Sequence, residues 1–185
     1  MTPSECPEQV RAALASLGIA LDTVTARSLV LYPEATVLVV AETGEDGRQH
    51  RLVPPAARAW GSLKEAAQAD GVEIRIVSAF RSVERQAEIV RGKLARGQSI
   101  DQILSVSAPP GYSEHHTGRA VDVTTEGVRP LEVEFEGTAA FEWLSGNAKR
   151  FGFLLSYPRH NRYGYMYEPW HWCFKESGGL QSASA

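Results

Sequence analysis

The chain has 185 residues, of which 43% are hydrophobic and 22% charged, and a net charge of −3. That size and balance fit one globular domain with a sizeable core, and the slight acidity with no basic stripe argues against nucleic acid, because phosphate binding needs clustered Lys and Arg. No run of about 18 apolar residues could cross a bilayer, and residues 1–20 lack the charged and apolar stretches of a secretory signal.

Near the start, Thr2-Pro3-Ser4-Glu5 has the form of a capping box with Pro at the first helical position. Val10, Ala13, Leu14 and Leu17 follow at helical spacing, and Gly18 ends the helix. Residues 36–42 are β-branched and apolar. The turn cluster 43–47 leads to a second short strand at 49–53, which makes a hairpin. After Pro54-Pro55, residues Ala56, Ala59, Trp60, Leu63 and Ala67 predict an amphipathic helix closed by Gly71. Val72, Ile74 and Ile76 alternate with Glu73 and Arg75, as in a half-buried strand. Ser82 is placed to cap a helix whose core face is Val83, Ala87, Val90 and Leu94. Arg81 therefore stands at a strand-to-helix junction where backbone N–H groups favour anions, with Gln86 one turn into the helix. Taken alone, Arg81 reads equally well as a surface residue paired with Glu84 or Glu88. Residues 99–105 predict a short helix through Ile100, Ile103 and Leu104, and residues 108–111 form a rigid lead into the next segment.

That segment carries the chemistry. His115, Asp122 and His171 are ligand types that a borderline cation such as Zn²⁺ accepts, and a catalytic site needs three of them plus an open position. Between 120 and 124 the valines alternate with Asp122, so a strand there sends Val121 and Val123 to the core and the carboxylate to the opposite face. Gly118 allows a turn between the ligands. His116 should diverge from His115 on an extended segment, although a His-His pair also reads as two surface histidines. Residues 126–137 are acidic and irregular. Thr138 precedes a helix with Phe141, Leu144, Ala148 and Phe151 inward and Gly152 at its end. Residues 153–156 predict a strand, 157–167 a loop dense in aromatics, and 170–174 a last strand with Trp170, Trp172 and Phe174 on one face and His171 on the other. Cys173 shares the face of His171 about 7 Å along the strand. With Cys6 it is expected to be a free thiol and not a fourth ligand. Mixed helices and strands without a βαβ rhythm predict an α+β fold, with helices packed on a mainly antiparallel sheet. One domain over residues 1–175 is expected, with 1–55 as an N-terminal extension packed on it and 176–185 as a flexible tail.

Ser113, His115, Gly118, Ala120 and Asp122, followed by Glu168 and His171, resemble the signature of the VanY-type zinc D,D- and L,D-carboxypeptidases. Ser78, Arg81, Ser82 and Gln86 extend the resemblance, which covers roughly residues 60–175. It implies the fold shared by these peptidases and the hedgehog signalling domain, and one zinc ion on His115, Asp122 and His171. It further implies removal of a C-terminal D-alanine from peptidoglycan stem peptides. Glu168 would be the general base, Arg81 the anion-stabilising cation at either the carbonyl oxygen or the terminal carboxylate, and Gln86 and Ser113 hydrogen-bonding groups for substrate. Two alternatives stand beside it: an endopeptidase cutting within the stem peptide, and a zinc-binding module without turnover. A monomer with a stem peptide or muropeptide as its partner is expected. By its own residues the chain is placed in the cytoplasm, or in the periplasm or cell envelope if a leader is missing.

Overall fold

The structure, a computed structural model, describes residues 6–27 and 29–176. Helix α1 (Glu8–Ser16) buries Val10, Ala13 and Leu14 as the spacing predicts. The helix does not start from Pro3 as the sequence suggests, since Cys6 and Pro7 are not helical and Pro7 precedes Glu8 with no side-chain cap; residues 2–5 themselves and the tail beyond residue 176 lie outside the described residues. A short helix that the periodicity did not reveal, α2 (Leu21–Ala26), follows, because a single buried side chain, Val24, is too little to print a pattern. Strands β1 (Val39–Thr43) and β2 (Gln49–Leu52) form the expected antiparallel hairpin. Helix α3 (Pro54–Ala69) starts with Pro in its first turn, where the missing N–H costs nothing, and buries Ala56, Trp60, Leu63 and Ala67.

Strand β3 (Arg75–Ser78) leads into α4 (Val83–Ala95) through Ser82, whose hydroxyl accepts a hydrogen bond from the Arg85 N–H at 3.0 Å. Helix α5 (Ile100–Val106) carries a full capping box between Ser99 and Gln102. Strand β4 (Ala120–Thr124) comes next, then the predicted irregular segment, which contains a single 3₁₀ turn that buries Phe135. Thr138 caps α6 (Ala139–Asn147), and β5 (Phe153–Leu155) and β6 (His171–Phe174) complete the chain.

The main sheet is antiparallel with strand order β3-β4-β6-β5, and the fold is α+β. Trp60, Leu63, Val121, Val123, Leu144, Phe153 and Trp172 join α3 and α6 to one face of this sheet. A second cluster unites α1, α4 and α5 through Val10, Leu14, Val83, Val90, Ile103 and Leu104. Alternation holds along β4, but all five of its residues are buried. The face opposite the valines is covered by other chain segments and is not a solvated face, so Asp122 sits in a low-dielectric setting. Among the described residues, no helix is long and apolar enough to cross a membrane. Cys6 and Cys173 are both free and buried.

Candidate metal centre

The stretch that carries the histidines is not extended. Glu114–Thr117 forms one 3₁₀ turn, entered at Ser113 and left at Gly118 in the left-handed region (φ 62°). At about three residues per turn, His115 and His116 point in different directions, and neither is on the surface. The His115 Nδ1 faces the carbonyl oxygen of Ala79 at 2.6 Å, which leaves Nε2 to face Asp122 Oδ2 at 3.1 Å. His116, fully buried, has Nδ1 against the carbonyl of Arg81 at 2.6 Å and accepts the Gly111 N–H at Nε2, 3.1 Å away. It pins the loop to the β3–α4 junction and has no lone pair left for a metal.

Asp122 and His171 are direct cross-strand partners in the β4–β6 ladder. Their side chains meet at 2.9 Å between Oδ1 and Nδ1. The other ring nitrogen of His171 lies 3.1 Å from Glu114 Oε2. Glu114 is itself buried, receives the Ser156 hydroxyl, and pairs with Lys175 Nζ at 2.9 Å. Among the described residues, the group able to hold a metal ion is His115, Asp122 and His171, with donor atoms all within 4.8 Å of one another. Two imidazoles, each with its outer nitrogen tied to an oxygen, and one carboxylate make a set that zinc fits; the outer bonds select which nitrogen turns inward. Burial alone would raise the Asp122 carboxyl, but His115 and His171 hold it well below the usual range. The same contest at Glu114 is won by His171, Ser156 and Lys175, so it too stays ionised.

Glu168 stands just outside this set. Its backbone N–H donates to the Tyr157 carbonyl and its own carbonyl accepts from His171 N, each at 3.1 Å, which fixes a turn before β6. Its Oε2 is 3.9 Å from His171 Nδ1. Burial pushes its carboxyl up to about 7, with Asp122 adding to the rise and His171 opposing it. Arg81 donates from Nη1 to Gln86 Oε1 at 2.7 Å and from Nη2 to Ser78 Oγ at 2.9 Å, and Nη2 is 3.5 Å from Asp122 Oδ2. The guanidinium is thus pinned beside the metal ligands. Gln86 is 1% exposed, and its amide is taken up by Arg81 and by the Ala108 carbonyl, so it stands behind the wall and positions Arg81.

Arg81, Ser113, His115, Asp122, Glu168 and His171 all line one cavity of about 410 Å³. The aromatic loop supplies Tyr157, Tyr165 and Tyr167 to its wall, with the Tyr157 ring 4.6 Å from that of His171. Val106, Leu131, Val133 and Met166 are exposed apolar groups at its edge. A larger cleft of about 930 Å³ lies between the hairpin and β3, but it holds none of these residues. Its charges are internally matched, as in Lys64 with Glu42 and Arg75 with Glu45, and we place the chemistry at the smaller cavity. Cys173, buried with its thiol pushed up to about 12 by burial and by Glu114, is not among the metal-binding group.

The sequence reading missed Glu114 and the structural part played by His116. Glu114 adjoins a ligand in the chain, but the ligand it holds is 57 residues away, so no local spacing could reveal it.

Residues 49–177 match the family model described as D-alanyl-D-alanine carboxypeptidase. Over 132 residues the chain is 36% identical to a D-alanyl-D-alanine carboxypeptidase of Enterococcus faecalis, an alignment covering 66% of this chain and 46% of that protein. The chain spans less than half the length of the first curated relatives it matches. Among solved structures, it resembles the LD-carboxypeptidase LdcB with a TM-score of 0.68 and 30% identity, covering 76% of this chain and 69% of the other. It also resembles the vancomycin-resistance D,D-pentapeptidase VanY in complex with Zn(II), with a TM-score of 0.59 and 31% identity over 80% of this chain and 88% of that one.

Proposed function

Because this chain belongs to the VanY family of D-alanyl-D-alanine carboxypeptidases, we propose that it is a zinc carboxypeptidase that removes the C-terminal D-alanine of peptidoglycan stem peptides. The observation that carries this reading is Glu168: a carboxylate with its side chain 14% exposed, 3.9 Å from His171 Nδ1 and not part of the ligand set, whose pKa burial raises. A purely structural metal site has no use for such a group. A general base needs it, because proton transfer is most effective when the pKa lies close to the working pH.

A zinc ion held by His115, Asp122 and His171 supplies Lewis acidity toward the scissile carbonyl and acidifies water. Glu168 takes the proton from the attacking water at its carboxylate and passes it to the leaving amine. Arg81, fixed by Ser78 and Gln86, presents its guanidinium where negative charge develops. Glu114 keeps His171 turned so that Nδ1 faces inward. Ser113 adds a hydrogen bond from the cavity wall, and Tyr157 shields His171 from solvent. The two solved relatives act on different linkages, one D,D and one L,D.

The test is to incubate metal-loaded protein with defined tetrapeptide and pentapeptide stems and to identify the products by mass spectrometry. Release of a single D-alanine from either stem supports the reading. Internal cleavage without loss of the last residue would favour an endopeptidase, and no turnover of either stem would favour a zinc-binding module.

A further inference from the structure

A carboxypeptidase must hold a free carboxylate at the end of its substrate. Arg81 is poorly placed for that task, since its Nη2 is 3.5 Å from Asp122 Oδ2, the same oxygen that faces His115. Gln86 is engaged on both ends of its amide. The same cavity has a second cation, Lys93. It lies seven residues beyond Gln86 on α4, two turns and about 10 Å along nearly the same face. Helical side chains lean toward the N-terminus, so its stem runs back along the cavity toward Arg81.

Lys93 Nζ donates to Ser107 Oγ at 2.5 Å, and both residues line the cavity. Lys64 and Lys175 each pair with a buried glutamate. Lys93, half-buried, forms no ion pair of this kind among the described residues. Ile89 and Val106 line the same wall, and Glu168, the acidic group of the cavity that acts on Lys93, forms no ion pair with it. Burial, then Arg96 and Arg81, lower its pKa, and Glu168 of the same cavity offsets them only in part, so an arriving anion relieves an existing cost.

We propose that Lys93 receives the terminal carboxylate of the substrate, leaving Arg81 to act on the carbonyl oxygen. This rests on the carboxypeptidase reading, and it divides between two cations what the sequence assigned to Arg81 with Gln86 and Ser113 as hydrogen-bonding groups. Lys93 is then what makes the cavity selective for a free C-terminus.

The experiment compares kcat/KM for one D-alanine-terminated peptide as free acid and as C-terminal amide in wild type, Lys93→Met, Lys93→Arg and Arg81→Lys, with zinc content measured for each. Wild type should prefer the acid by roughly 10- to 150-fold, the factor a charge-assisted hydrogen bond carries. Lys93→Met, which keeps the apolar stem, should lose most of that preference through a raised KM for the acid, with the amide affected far less. Lys93→Arg should keep the preference, and Arg81→Lys should slow acid and amide alike. Full preference retained in Lys93→Met, or an equal fall for both peptides, overturns the assignment of Lys93 while the carboxypeptidase reading stands. Absence of any preference in wild type overturns that reading as well.

Discussion

Glu114, buried, and Glu168, partly buried, are two carboxylates within reach of the same imidazole, and their surroundings give them opposite duties. Glu114 has three cationic or donor partners and stays ionised, whereas Glu168 has no close donor and is raised to about 7. Glu168→Gln should therefore keep full zinc stoichiometry and lose ~10²- to 10⁴-fold in kcat, the range typical of general acid–base groups; unimpaired turnover in that variant would remove its assigned role. Glu114→Gln should act through the metal instead. It weakens the hydrogen bond that orients His171 and sets an amide NH₂ or a weaker acceptor against Lys175, so zinc affinity measured by chelator competition should fall by ~10- to 100-fold. An unchanged affinity would leave Glu114 as a packing residue. The pairing of Glu168 with His171 was legible in the sequence because both stand in one short turn. Glu114 was not, since its contact depends on how β6 lies against the metal loop.

At the scale of elements, the metal loop is held by its neighbours as much as by its own turn. Its backbone accepts hydrogen bonds from Tyr32 N to Gly111 O at 2.8 Å, from Ala35 N to His116 O at 2.8 Å and from Val53 N to Gly118 O at 2.9 Å. Gly118 has φ 62°, and a Cβ there would lie 2.8 Å from Leu38 Cδ2 and 3.2 Å from the Ala35 Cβ. Gly118→Ala thus combines left-handed strain with a steric conflict, and we expect a loss of about 1–3 kcal/mol in urea unfolding. Adding Leu38→Ala should recover the steric part and leave the strain. If Gly118→Ala unfolds like wild type, the loop is looser than these contacts imply. The turn at Gly118 was expected from sequence on conformational grounds. The close approach of residues 35 and 38 was not, because no periodicity in that stretch announces what it packs against.

The molecule as a whole brings together ligands from a loop and two strands, and holding them costs buried charge that a metal offsets. Zinc at a hundredfold excess over its Kd should stabilise by about 2.7 kcal/mol, which is roughly 5–10 °C in Tm for a chain of this size. His171→Ala should show no zinc-dependent shift, whereas His116→Ala should keep one from a lower starting Tm; a full shift in His171→Ala would remove it from the ligand set. The sequence by itself determined the cap at Ser82, the hairpin, the strand bearing Asp122 and the ligand types, because these depend on neighbours a few residues apart. It also carried the family signature, whose spacing survives as linear order. Tertiary structure alone decided that both histidines of the loop are buried with different duties, that Gln86 stands behind Arg81, and that Lys93 faces the cavity with no ion pair among the described residues. These follow from the β4–β6 register and from the way residues 32 and 35 hold the metal loop and α4 packs with α1 and α5, and burial and pairing between distant segments have no period in the sequence.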